Sequence, residues 1–145
     1  MGHLGIGIPY SIAVKIAKPE KLVVCLTGDG SFLFNVQELE TAVRLNLPII
    51  IIIANNCAWG MIKSNQKVGK MKYCDVDFPP INYSEIARGF GCYSEKIEKP
   101  EDIQTALQRA IESKKPAVID VSIAFETPTP MRFLAQYKKN KGLLG

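Results

Sequence analysis

The chain has 145 residues, 47% hydrophobic and 22% charged, with a formal net charge of +4. That is the size and make-up of one globular domain with a real core rather than a disordered chain. The positive charge is mild, falls largely at the ends of helical patterns and in the tail "YKKNKG", and forms no basic face interleaved with aromatics, so nucleic-acid binding is not implied.

In chain order, "MGHLGIGIPYSIAVKIAKPEK" reads as a glycine-rich loop entering a helix, with Pro9 in its first turn and Pro19 closing the segment. "KLVVCLT" reads as a short strand buried on both faces, broken by Gly28-Asp29-Gly30. From Ser31 to Asn46 the apolar residues Phe32, Val36, Leu39 and Val43 recur at helical spacing, and Pro48 stops the helix. "PIIIIIA" is a second buried, β-branched strand, too short to span a bilayer. A short helix is expected from Gly60, then a long surface loop over "KVGKMKYCDVDFPPIN", a helix in "YSEIARGFG" and a strand in "CYSEKIE". "KPEDIQTALQRAIESKKP" is the clearest amphipathic helix, with Ile103, Ala106, Leu107, Ala110 and Ile111 on one stripe. "AVIDVSIAF" is the last strand, and Pro128 and Pro130 mark the exit to a tail. Cys25, Cys57, Cys74 and Cys92 are too irregularly spaced for a zinc or redox pair. With no signal-type segment at the N-terminus, a soluble cytoplasmic protein without a membrane partner is expected.

Strand, helix, strand in this order is a βαβ unit with a right-handed crossover, so its strands are parallel and the coarse fold is one α/β domain. Asp29 and Asn56 then lie at the carboxyl ends of the two strands, on one edge of the sheet, the usual ligand position of an open parallel sheet. Gly28 and Gly30 admit a bulky anion, the amides of Gly30 and Ser31 open a helix, and Asp29 is a hard carboxylate. Asp29, the Asn56 amide oxygen and the Ala58 carbonyl would supply the protein half of a magnesium shell, completed by diphosphate oxygens and water. A lone Gly-Asp-Gly or a lone Asn-Asn is most often only a turn. Their joint placement favours a shared role. A dinucleotide site is disfavoured because no strand precedes "GHLGIG", and His3, the only histidine, supports no nucleophilic triad.

"GDGSFLFNVQELETAVRLNLPIIIIIANNCAWGMI" and "GHLGIGIPYSIAVKIAKP" closely resemble the two signatures of the thiamine diphosphate enzymes, and "NNCAWGMI" with Gln66 looks most like the acetolactate synthase large subunit. The resemblance implies a three-layer α/β/α fold with a mostly parallel central sheet, lacking its first strand and helix. It covers residues 1–125 as a diphosphate- and magnesium-binding domain, with 126–145 as a C-terminal tail. It further implies that the Gly2 carbonyl and the Leu4 amide bind the aminopyrimidine and that the Leu4 side chain bends the cofactor. Asp29, Asn56 and the Ala58 carbonyl hold magnesium, and Gly28, Gly30, Ser31, Gly60 and Met61 line the diphosphate. His3 stands where a small hydroxyl residue is usual, and Asn65 stands where biosynthetic acetolactate synthases carry tryptophan, which leaves the substrate open.

The activity so implied is decarboxylation of a 2-oxo acid such as pyruvate, followed by transfer or protonation, with the cofactor carrying the chemistry. No residue of this chain is assigned a catalytic role. The activating glutamate would come from a pyrimidine-binding domain elsewhere, so a homodimer or tetramer, or a partner chain with that domain, is expected. FAD is compatible with such enzymes, but no residue here points to it. The alternative is a truncated or split-gene remnant that folds, and binds the cofactor or partner subunits, without activity of its own.

Overall fold

The computed structural model describes residues 2–126, 136, 137 and 139–141. Its elements are α1 (Gly7–Ala17), β1 (Val23–Gly28), α2 (Asp29–Leu33), α3 (Glu38–Arg44), β2 (Ile49–Asn55), α4 (Gly60–Val68), α5 (Tyr83–Gly89), β3 (Tyr93–Ile97), a 3-10 turn (Pro100–Asp102), α6 (Ile103–Ser113) and β4 (Ala117–Ser122). They fall into two compact units, Met1–Asn55 with Asn82–Ile123, and Asn56–Ile81 with Ala124–Gly145. Pro128, Pro130 and most of the expected tail lie outside the described residues.

The first unit holds a four-stranded sheet in the order β1-β2-β4-β3, every neighbouring pair parallel. Helices cover both faces, as the three-layer expectation required. On one face Ile50, Ile97, Ala117 and Ile119, with Ile52 and Val121, pack against Ile103, Ala106, Leu107 and Ala110 of α6. On the other, Ile49, Ile51, Ile53 and Val118 are fully or nearly fully buried, and α1, α2 and α5 supply Ile8, Ile12, Phe32, Tyr83 and Ala87. The Phe32 and Tyr83 rings meet edge to face at 5.6 Å, a favoured aromatic geometry. Burying β-branched strand residues from both sides is what stabilises an all-parallel sheet.

Three expectations are corrected here. The helix expected from Ser31 to Asn46 is two short helices, and the first begins at Asp29. The chain turns between them, with Asn35 N–H donating to Phe32 O and Glu38 N–H to Asn35 O, while the Asn35 side chain donates to Gly5 O at 2.9 Å. An asparagine whose amide finds a main-chain partner elsewhere breaks a helix that apolar spacing alone would continue. The second correction concerns β1, which is not buried on both faces: Val24 is 50% and Leu26 73% exposed. β1 is an edge strand, and the core residues of α6 pack on β2, β3 and β4. Ile111, expected on the buried stripe of α6, is also largely exposed.

No helix among the described residues is long and apolar enough to cross a membrane. All four cysteines are free thiols: Cys74 is exposed, Cys92 buried, and Cys25 and Cys57 lie between. Burial pushes the Cys92 thiol up to about 11, which keeps it protonated and unreactive at neutral pH. Alkylation at pH 8 followed by mass spectrometry is therefore expected to label Cys74 first and Cys92 last. Labelling of Cys92 in the folded chain at the rate of Cys74 would contradict this order.

Candidate functional site

In the first unit the chain leaves β1 through Gly28, whose extended backbone (φ −82°, ψ 159°) turns directly into α2. A Cβ at Gly28 would meet nothing within 4 Å, so the space beside it is open. Asp29 is 3% exposed and accepts from the Gly30 N–H at 2.8 Å through Oδ1. The Gly30 amide expected to face an anion is thus engaged by the carboxylate beside it.

The glycine-rich loop is fastened to the same place. The Gly5 N–H donates to Ser31 Oγ at 3.0 Å, and Gly5 O accepts from Asn35 Nδ2 at 2.9 Å. Gly5 has φ +80°, and a Cβ there would come within 2.7 Å of Phe34 Cβ and 2.8 Å of Asn35 Nδ2. Only glycine satisfies both the backbone conformation and that close approach. This clasp ties the exposed loop residues Gly2, His3 and Leu4 to α2, so the two segments that the sequence singled out, 2–5 and 28–31, form one structure. Deeper down, a Cβ at Gly7 would sit 2.7 Å from Cys25 Sγ, which sets how closely α1 lies on β1.

In the second unit the segment after β2 is a compact turn. Asn56 Oδ1 accepts from the Ala58 N–H at 3.1 Å, and Cys57 between them takes the left-handed conformation, φ 53°. Ala58 is 3% exposed, its carbonyl accepts from the Gly60 N–H at 2.8 Å, and it forms an antiparallel bridge with Asp77. The Trp59 N–H donates to Val76 O at 2.8 Å and the Phe78 N–H to Cys57 O at 2.7 Å. The Trp59 and Phe78 rings stack edge to face at 5.1 Å. A Cβ at Gly60 would lie 2.7 Å from Asn56 Nδ2, so the small residue at 60 is what lets the Asn56 amide sit where it does. Gly60 and the exposed Met61 open α4. Asn56, Ala58 and Gly60 are thereby brought together. Amide and carbonyl oxygens carry two lone pairs each, so one hydrogen bond to such an oxygen does not by itself exclude a metal.

The donor types expected for the metal, a carboxylate, an amide oxygen and a main-chain carbonyl, are hard oxygens of the kind magnesium takes alongside phosphate. Among the described residues no group of three or more His, Cys, Asp or Glu side chains comes together that could hold a metal, so they form no zinc-type centre.

One buried acid escaped the sequence reading. Asp120, in β4, is fully buried. Its Oδ1 accepts from Asn55 Nδ2 at 2.9 Å and its Oδ2 from the Tyr83 N–H at 3.0 Å. Burial pushes its carboxyl above the usual range, the Asn55 and Tyr83 bonds and the Lys96 charge oppose that, and the Asp29 charge adds to it. The signal in the sequence was a single acid inside "AVIDVSIAF", because a charge in a buried strand needs partners. The other prominent ionic group is peripheral: Arg109 forks onto Glu95 at 2.8 and 2.6 Å, and that guanidinium holds the Glu95 carboxyl below its ordinary value.

Residues 1–121 match the family model described as "Thiamine pyrophosphate enzyme, C-terminal TPP binding domain". The chain is 34% identical over 125 residues to an acetolactate synthase of Bacillus subtilis, covering 86% of this chain and 22% of that protein. It is 34% identical over 130 residues to a pyruvate oxidase of Lactiplantibacillus plantarum, covering 88% of this chain and 22% of that one. Among solved structures, a thiamine diphosphate-dependent 4-hydroxybenzoylformate decarboxylase of Rhodococcus jostii superposes with a TM-score of 0.80 at 29% identity, over 86% of this chain and 24% of that one. The chain thus spans about a fifth of the length of the curated relatives it matches.

Proposed function

The chain belongs to the thiamine pyrophosphate enzymes, as their C-terminal cofactor-binding domain, and from that premise we propose that it binds thiamine diphosphate through magnesium and serves a 2-oxo acid decarboxylase or carboligase of the acetolactate synthase kind. In this reading Asp29, the Asn56 amide oxygen and the Ala58 carbonyl hold the metal. Gly28, Gly30, Ser31, Gly60 and Met61 line the diphosphate, and Gly2, His3 and Leu4 meet the aminopyrimidine. Residues 1–125 act as the binding domain and 126–145 as a tail.

The observation that carries the proposal is the clasp at Gly5. Its bonds to Ser31 and Asn35 tie the loop that would contact one end of the cofactor to the helix whose first residue would ligate the metal at the other. The open space beside Gly28 and the all-oxygen donor set support the same assignment. When bound, the cofactor supplies the carbon nucleophile that makes decarboxylation of a 2-oxo acid feasible. This chain's residues would bind and orient: Asp29 would offset part of the metal charge, and the Leu4 side chain, 47% exposed, would offer the cofactor apolar surface. The activating glutamate comes from a pyrimidine-binding domain of another subunit or chain, in a dimer or tetramer working in the cytoplasm on pyruvate or a similar acid.

Calorimetric titration of the purified chain with thiamine diphosphate tests this. Binding is expected in the presence of magnesium and is expected to vanish when the metal is chelated. Equal heats with and without magnesium, or none from a chain that is folded by circular dichroism, would count against the reading.

A further inference from the structure

Asp120 is wholly buried in the central layer, and the proposed function gives it no role. Its neighbours across the sheet are Ile53 and Lys96. A carboxylate in such a place is costly, and an apolar residue of similar size would be easier to accommodate. What the carboxylate provides is two acceptors, and each faces a donor: Asn55 Nδ2 on one side and the Tyr83 N–H on the other. Asn55 is the last residue of β2 and is 5% exposed. It is bound to β4 through this side-chain bond and to the residue just after β4 through its carbonyl, which accepts from the Ile123 N–H at 2.8 Å. The next residue is Asn56.

We propose that Asp120 is a positioning residue for the metal site: it holds the Asn55 side chain, and Asn55 in turn fixes the backbone from which Asn56 leaves the sheet. The adjacent asparagines then divide the work, Asn55 as the anchor and Asn56 as the ligand. The inference rests on the reading of Asn56 given under Proposed function. Outer partners that orient a metal ligand are worth about 10–100-fold in metal affinity when removed.

The test uses Asp120→Asn. An amide offers one acceptor where two donors must be met, so the contact with Asn55 is kept only if the Asn55 amide turns over and gives up its native orientation. The exchange Asn55→Asp with Asp120→Asn restores complementarity: the amide oxygen at 120 accepts from Tyr83, and its nitrogen donates to the new carboxylate at position 55. Asn55→Ala, which removes one of the two donors, is the second variant and keeps the test decisive if Asp120→Asn does not fold. Each variant is titrated with magnesium at saturating thiamine diphosphate, at a temperature where circular dichroism shows it fully folded. Asp120→Asn and Asn55→Ala are expected to weaken magnesium binding about 10–100-fold, and the exchange is expected to recover most of that loss. Wild-type magnesium affinity in the folded single variants, whatever their melting temperatures, overturns the inference. So does an exchange that restores thermal stability but not metal affinity. A wild-type chain with no magnesium-dependent binding overturns the reading of the site, and this inference with it, so the two failures are told apart by the wild type.

Discussion

Asp29→Ala is expected to remove magnesium-dependent binding of thiamine diphosphate while leaving the chain folded. Asp29 is the only carboxylate in the proposed donor set, and a divalent ion held by an amide and a carbonyl without it keeps little affinity. Since an outer partner of a ligand already accounts for about 10–100-fold, loss of the charged ligand itself is expected to exceed about 100-fold. The fold is expected to tolerate the change because the hydrophobic layers of the sheet are formed by other residues. Calorimetry with and without magnesium, beside a thermal melt, separates the two effects. Retained magnesium-dependent binding in Asp29→Ala would remove Asp29 from the site. Collapse of the melt would instead make Asp29 a structural residue.

Gly5→Ala is the second substitution with a large expected effect, and it acts from the opposite side of the clasp. At φ +80° a residue with a Cβ carries a strain of about 1–3 kcal/mol. Here the added methyl also meets Phe34 Cβ at 2.7 Å and Asn35 Nδ2 at 2.8 Å, so the loop must move to admit it. That movement breaks the bonds to Ser31 and Asn35 and frees residues 2–4 from α2. A melting temperature lowered by roughly 3–12 °C is expected from the strain alone, together with weaker cofactor binding. Gly89→Ala is the control: a Cβ there meets nothing within 4 Å, and a glycine-to-alanine change at a compatible position is neutral or slightly stabilising. If Gly5→Ala and Gly89→Ala behave alike in both measurements, the clasp has no role.

Much of this architecture could be read from the residues. The βαβ unit from "KLVVCLT" to "PIIIIIA" followed from β-branched runs flanking a helical spacing, and the structure has those strands parallel with Gly28 opposite Ala54. α6 followed from its stripe, and the acids expected at its start, Glu101 and Asp102, lie in the 3-10 turn just before it. Three features could not be reached this way. The break between α2 and α3 depends on Asn35 reaching Gly5, thirty residues away in sequence, and local periodicity carries no information about such a partner. The exposure of Val24 and Leu26 depends on strand order and on where α6 lies, whereas an apolar run looks the same at an edge and at a centre. Asp120 was passed over because its strand was read for its apolar majority. The acid that interrupts the run is the residue that fastens three elements, β2, β4 and α5. In the site, the residue types at 28–31 and 56–61 were legible as a pattern. The bonding of the Gly30 amide to its own neighbour and the Asn56–Gly60 packing were not, because both are matters of ångströms.

The open edge at β1 also bears on how the protein behaves in the tube. The outermost strand combines a side with no sheet neighbour among the described residues with an apolar face at Val24 and Leu26, which is the combination that recruits further strands. Concentrated stocks of the isolated chain are therefore expected to grow in particle size by edge-to-edge association, which light scattering over a concentration series checks. Leu26→Lys, on the exposed face, is expected to slow that growth without touching the clasp, the turn after β2 or the buried acid.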